Sequence, residues 1–335
     1  MREIIMPVNY NPGLGIRETE IAIKFIKDYF ESALAQKLNL TRVSAPLFVR
    51  PESGLNDNLN GVERPVAFDL LDGGINCEIV HSLAKWKRLA LKRYGFLPGE
   101  GLYTDMNAIR RDEETDNLHS VYVDQWDWEK IIPRESRNIG TLKAVVRDIY
   151  SVILDTEAAV HVRYPEIPRY LPPEISFVIS QELEDSWPDS SPKERENAAA
   201  RAHGAVFLTQ IGGALRSGKP HDGRAPDYDD WSLNGDILVY YPLFDRAVEI
   251  SSMGIRVDGE ALRRQLEIRG CPERAALPFQ KALLNGELPQ TIGGGIGQSR
   301  MCLLFLHKAH IGEVQSSVWP EEQIGLAREH GITLL

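Results

Sequence analysis

The chain has 335 residues, 43% hydrophobic and 26% charged, values that fit a globular fold with a packed core. Its 48 acidic and 38 basic residues give a net charge of −10, which is the opposite of the basic footprint of a protein gripping many nucleic-acid phosphates. The longest apolar run, residues 301–306, is far short of the roughly 18–20 residues needed to span a bilayer, so no membrane is expected as a partner.

The opening, MREIIMPVNYNPG, lacks the apolar stretch of roughly 7–15 residues that marks a secretory signal, and a cytoplasmic location is expected. Over 18–38, Ala22, Phe25, Ile26, Phe30, Ala33, Leu34 and Leu38 recur at three and four, predicting an amphipathic helix. A strand over 41–49 follows. Pro46 within it cannot donate to a central ladder, so it should lie at an edge or an interface. Ser82 is a good N-cap for a helix through SLAKWKRLALKR, in which Lys92 and Arg93 read as solvated. Two strands, 101–110 and 118–129, joined by RDEETDN, predict a long antiparallel hairpin. Leu142, Val145, Val146, Ile149, Tyr150 and Ile153 mark another long helix.

Further on, 175–180 and 205–210 read as strands around a helix ending near Gly204. NGDILVYY, PLFD and RAVEISS form a second hairpin, and helices are expected near 258–269 and 276–285. A glycine run and a final helix from about Gln298 close the pattern. Strands arriving as hairpins rather than in βαβ alternation predict an antiparallel sheet with flanking helices, one α+β domain over 1–335. The three cysteines, Cys77, Cys271 and Cys302, are far apart and lack CxxC spacing, and they read as packed thiols.

Four segments can carry chemistry. GGGIGQSR, ending in Arg300, would let backbone approach a ligand and present a helix start to an anion, yet it has neither the GK[ST] of a P-loop nor a Rossmann strand–turn–helix context. Arg110, near the body of a strand, can hold a phosphate oxygen with two parallel N–H bonds. In HSVYVDQWDWE, alternation puts Val121, Val123, Gln125, Asp127 and Glu129 on one face that turns from apolar to polar. Asp236 and Glu249 fall on one face if their hairpin loop has two or four residues, and two such carboxylates call for a cation such as a nucleotide's Mg²⁺. Each segment also has an ordinary reading: a turn before a helix, a solvated tip at Arg111, Asp112 and Glu113, an exposed strand end, a surface pair. His307 and His310 lack a third ligand nearby, and His81 and His119 read as structural hydrogen-bonding groups.

Together the four segments resemble the catalytic core of class II aminoacyl-tRNA synthetases. The first helix with VSAPLF resembles that family's dimer-forming motif, AIRRDE with HSVYVDQWDWE its second, and EISSMGIR with GGGIGQSR its third. The longer strings VHSLAKWKR, EGLYTDMNAIR, LHSVYVDQWDWE, RAPDYDDW and PQTIGGGIGQSR resemble ammonia-dependent asparagine synthetases over essentially the whole chain. The segment between Asp230 and Asn234 is shorter than in the bacterial form of that family.

That resemblance implies a class II synthetase-like fold, a homodimer, and synthesis of asparagine from aspartate, ammonia and ATP through a β-aspartyl-adenylate. It implies that Arg110 holds the α-phosphate and Arg300 the adenine or outer phosphates. Asp236 and Glu249 would hold Mg²⁺, with Ser120, Val123, Ile250 and Gln298 at the nucleotide. Ser82, Lys87, Gln125, Asp127 and Asp229 would hold aspartate, and Asp57 is the first candidate for the base that deprotonates ammonium, ahead of Asp229. Three rivals fit less well. A tRNA-charging enzyme needs a tRNA-reading module, a glutamine-dependent synthetase needs an N-terminal cysteine where Arg2 stands, and an inactive paralogue should lack one of the arginines or acids.

Overall fold

The computed structural model describes residues 4–57, 59 and 63–335. It begins with helix α1 (Ile16–Leu38), strands β1 (Leu40–Arg42), β2 (Phe48–Val49), β3 (Ala67–Asp69) and β4 (Asn76–Ile79), and helix α2 (Ala84–Arg93). The hairpin β5 (Gly101–Ile109) and β6 (Tyr122–Ile131) comes next, then α3 (Ile139–Arg163), β7 (Ser176–Ile179), α4 (Ser180–Ser186) and α5 (Pro192–His203). Strands β8 (Ala205–Thr209), β9 (Asp229–Tyr241) and β10 (Arg246–Arg256) precede α6 (Gly259–Ile268) and α7 (Pro278–Leu284). Strand β11 (Thr291–Gly297) leads into α8 (Gln298–Phe305), and α9 (Glu321–Glu329) follows.

Eight strands form one sheet in the order β1-β5-β6-β11-β10-β9-β8-β7, antiparallel except for the outer pairs β1–β5 and β7–β8. A small sheet, β2-β4-β3, stands beside it. The strand expected over 41–49 is therefore two strands in two sheets, with Pro46 in the gap between them. Each of the two is an edge strand of its sheet, as the proline implied, and the missing N–H falls where pairing passes from one sheet to the other. The glycine run is likewise no turn. It is a central strand, paired to β6 on one side and β10 on the other, and α9 follows the helix expected to be last. The shortened segment after Asp230 lies within the unbroken strand β9.

Alternation divides this sheet sharply. One face carries Trp126, Trp128, Ile237, Val239, Met253, Ile255, Ile292 and Ile296, all buried against apolar residues of α1, α3 and α8 such as Ile26, Phe30, Leu142 and Ile149. The Phe30 ring lies 4.6 Å from that of Trp126. Removing each such side chain from water contributes about 1.5–3 kcal/mol. The other face is polar along its middle strands, and α2 covers only part of it. Helix α2 starts at Ala84, so Ser82 sits just outside it. Its Oγ still accepts the Ala84 N–H at 3.1 Å. Elsewhere the caps follow local chemistry: Asn138 accepts from Thr141 N–H and Asp258 from Ala261 N–H.

Candidate active site

The polar face forms the floor of a cavity of about 530 Å³. Strand β6 supplies Gln125, Asp127 and Glu129, whose ladder partners on β11 are Gly297, Gly295 and Gly293. Those glycines are needed for space. A Cβ on Gly295 would stand 2.5 Å from Gln125 Oε1 and 2.7 Å from Asp127 Oδ1, and one on Gly293 would stand 2.0 Å from Glu129 Oε2. The glycine strand thus trades side chains for a layer of charged groups above it.

That layer is held by two buried cations. The Arg256 guanidinium, 2% exposed, donates to Glu129 at 2.7–3.1 Å and to Asp229 Oδ1 at 2.5 Å. Lys87, from α2, donates to the carbonyls of Trp128 (3.1 Å) and Gly294 (2.9 Å) and lies 3.2 Å from Asp127 Oδ2. Burial pulls the Lys87 ammonium below its ordinary value, opposed by Asp127. Burial works to raise Glu129, but Arg256 outweighs it and leaves the carboxyl below its ordinary value. For Asp229 burial prevails and the carboxyl is raised despite Arg256.

The same cavity is lined by Arg110, Ser120, Val123, Glu249, Ile250 and Arg300. Arg110 follows directly on β5, where its N–H bonds Val121 O at 2.8 Å, and its side-chain Nε is buried without a partner. Arg300 donates to Glu249 O at 3.0 Å. Burial raises the Glu249 carboxyl, but Arg300 and then Lys193 outweigh it and bring it below its ordinary value. Ser120 Oγ donates to Ser317 Oγ at 2.8 Å.

Asp236 and Glu249 do share a face. The hairpin loop has four residues, Tyr241 pairs with Arg246, and Glu249 lies opposite Leu238, two residues from Asp236. Asp236 does not itself reach the cavity wall. Arg224, which does, bonds its Oδ2, while its Oδ1 is buried with no partner. Burial pushes the Asp236 carboxyl up. An orphaned carboxylate oxygen beside a second acid fits a cation that brings further ligands of its own. Among the described residues no three His, Cys, Asp or Glu side chains are grouped to hold a metal alone.

The chain as a whole is similar to known proteins. The family model described as aspartate–ammonia ligase matches residues 17–331. An aspartate–ammonia ligase of Ruminiclostridium cellulolyticum is 63% identical over 336 residues, covering 100% of both chains. Another, from Lactobacillus johnsonii, is 60% identical with 99% of each chain covered. The chain belongs to the aspartate–ammonia ligase family. It is thus an enzyme, a ligase. Its fold is that of class II aminoacyl-tRNA synthetases. The asparaginyl-tRNA synthetase of Pyrococcus horikoshii, solved with asparaginyl-adenylate, superposes with a TM-score of 0.64 at 16% identity, covering 91% of this chain and 71% of that one. The Entamoeba histolytica asparaginyl-tRNA synthetase gives 0.62 at 12%, covering 90% of this chain and 67% of that one.

In this ligase Arg110, Arg300, Glu249, Ser82, Lys87, Gln125, Asp127, Asp229, Ser120, Val123 and Ile250 all line one cavity. Three residues singled out in the sequence do not. Asp236 stands behind Arg224. Asp57 is buried beside the wall, its Oδ1 accepting Leu59 N–H at 2.9 Å and its Oδ2 unpartnered. Gln298, the first residue of α8, turns away and donates to Asp105 at 3.1 Å, on the face of the sheet that Asp105 shares with Trp126. Sequence periodicity gives no role to Arg224 or Arg256, although RAPDYDDW and EISSMGIR contain them. The basic residue in RAPDYDDW was the only hint of the first.

Proposed function

We propose that this ligase makes asparagine from aspartate, ammonia and ATP through a β-aspartyl-adenylate, releasing AMP and pyrophosphate. The observation that carries the reading is the buried, unpartnered Nε–H of Arg110 in the same cavity as Arg300, Glu249, Gln125 and Asp127. It matches an anion donor set to an amino-acid pocket. The family relationship and the fold shared with adenylate-forming synthetases support the same chemistry.

A carboxylate resists attack because the group expelled would be oxide. Transfer of AMP to the β-carboxylate supplies a good leaving group, and ammonia then attacks the activated carbonyl carbon. The protein aligns the reactants and stabilises the charge on the α-phosphate. Arg110 holds that phosphate and Arg300 the adenine or outer phosphates, while Ser120, Val123 and Ile250 contact the adenosine part. Asp236 and Glu249 would hold Mg²⁺, which would offset phosphate charge, once Arg224 releases Asp236. Gln298 has no part in the proposal because of its bond to Asp105. Ser82, Gln125 and Asp127 hold aspartate, Asp127 taking the α-ammonium. Lys87 contributes a fixed positive charge and orients Asp127, and Asp229 acts through its bond to Arg256.

Asp57 accepts a proton from ammonium. Its unpartnered Oδ2 favours it over Asp229, whose carboxylate is already bonded. The reading includes a homodimer, to which Ile21 and Tyr29, exposed on α1, are suited. It also includes a cytoplasmic location and small-molecule rather than nucleic-acid substrates. No helix among the described residues is long and apolar enough to cross a membrane.

The test supplies purified protein with ATP, Mg²⁺, aspartate and ammonium. Asparagine and AMP are expected in equal amounts, and ADP in place of AMP would overturn the adenylate route. Asp57→Asn is expected to lose amide formation while aspartate-dependent ATP–pyrophosphate exchange survives. Parallel loss of both would remove Asp57 from the role.

A further inference from the structure

Counting protons shows that one base is not enough. Ammonium carries four hydrogens and the amide nitrogen of asparagine two, so two protons must leave the nitrogen. AMP departs as an anion and need take neither. Asp57 accounts for one. A second acceptor is required beside the activated carbonyl.

His81 has the needed properties. It ends the stretch after β4, is fully buried, and lines the cavity next to Ser82 and Lys87. Its Nδ1 lies 3.0 Å from the main-chain carbonyl oxygen of Asp57. A carbonyl only accepts, so Nδ1 carries the hydrogen, and in the neutral imidazole Nε2 keeps its lone pair. Nε2 has no hydrogen-bond partner among the described residues. Buried His221 and His310 also leave one ring nitrogen unpartnered; His81 differs from them in lining the cavity.

The main chain at His81 is also held firmly. Its backbone N–H donates to Asn56 Oδ1 at 2.8 Å, and Asn56 Nδ2 donates to Ile79 O at 3.2 Å. Lys85 Nζ binds Asn56 O at 2.8 Å. This clamp joins the loop bearing Asp57 to the chain bearing His81, so the two acceptors keep a fixed relation.

We infer that His81 is the second proton acceptor of the amidation step, an inference resting on the adenylate reading above. One proton passes from ammonium to Asp57. The freed lone pair forms the C–N bond at the β-carbonyl carbon. That bond makes the nitrogen acidic, and Nε2 of His81 takes the second proton. The carbon–oxygen bond to phosphate then breaks, and AMP leaves with the electron pair.

His81→Asn tests this, because the asparagine amide can replace the Nδ1–H donor to Asp57 O while Nε2 disappears. Asparagine formation from ammonium is expected to fall roughly 10²-fold or more, the usual scale for a lost general base. Aspartate-dependent ATP–pyrophosphate exchange should stay within about threefold, which also shows that the variant is folded. Hydroxylamine, largely neutral at pH 7 and giving a more acidic adduct, should recover part of the loss as hydroxamate. His81→Gln, which puts an amide near the place of Nε2, should behave like His81→Asn. Amide formation near the wild-type rate, exchange falling in step with it, or equal loss with both nucleophiles would each overturn the assignment. Absence of exchange in the unaltered enzyme would instead sink the adenylate reading on which it rests.

Discussion

The two faces of β6 make a natural experiment. Trp126 and Trp128 face α1 and α3, buried among residues that match them in shape and lack of charge. Their neighbours Gln125 and Asp127 face the cavity and Glu129 lies buried on the same side, where glycines on β11 leave room and Arg256 and Lys87 supply charge. The apolar face is held by many interchangeable contacts, each modest. The polar face depends on a few directed bonds among groups that would be costly to bury unpaired. One face therefore secures the fold, and the other holds a geometry that folding alone does not require.

Three substitutions can break or sharpen that contrast. The largest effect is expected from Trp126→Ala, which should lower the unfolding free energy by about 3–5 kcal/mol in urea titration. The protein that stays folded should keep its affinity for aspartate, and a selective loss of affinity would blur the distinction. Gly295→Ala should do the reverse. Its Cβ would press on Gln125 and Asp127, lowering kcat/KM for aspartate roughly 10²-fold, or about 2.7 kcal/mol. Its urea midpoint should move much less than that of Trp126→Ala, and wild-type kinetics would show that the glycine is not there for space.

The smallest effect concerns pH and is expected in the loop that joins β5 to β6. Burial raises the Asp116 carboxyl, but His119 and the amides of Leu118 and His119 outweigh it and bring it down to about 2. A depressed carboxylate adds stability above its unfolded pKa and loses it as pH falls toward the folded value. Asp116→Asn should therefore cost about 1–2 kcal/mol at neutral pH and flatten the decline in stability between about pH 4 and 2. An unchanged acid limb would rule out that contribution.

Much of this was legible along the chain. The stripe from Ala22 to Leu38 and the alternation in VYVDQWDWE are local periodicities, and both elements formed as expected. The hairpin loop PLFD set the register that puts Asp236 and Glu249 on one face. The glycine strand was hidden because glycine has no side chain to reveal alternation and little strand propensity of its own. The small sheet was hidden because strands of two to four residues carry almost no pattern.

What the sequence alone determined was the set of chemical groups and the family to which their spacing belongs. Which groups meet was decided only in three dimensions. Arg256 finds Glu129 across 127 residues, and Arg224 closes over Asp236. His81 is fixed by an asparagine 25 positions earlier. Periodicity can show the face on which a side chain stands. The partner it meets there depends on where distant strands are brought side by side, and burial then makes that partner obligatory.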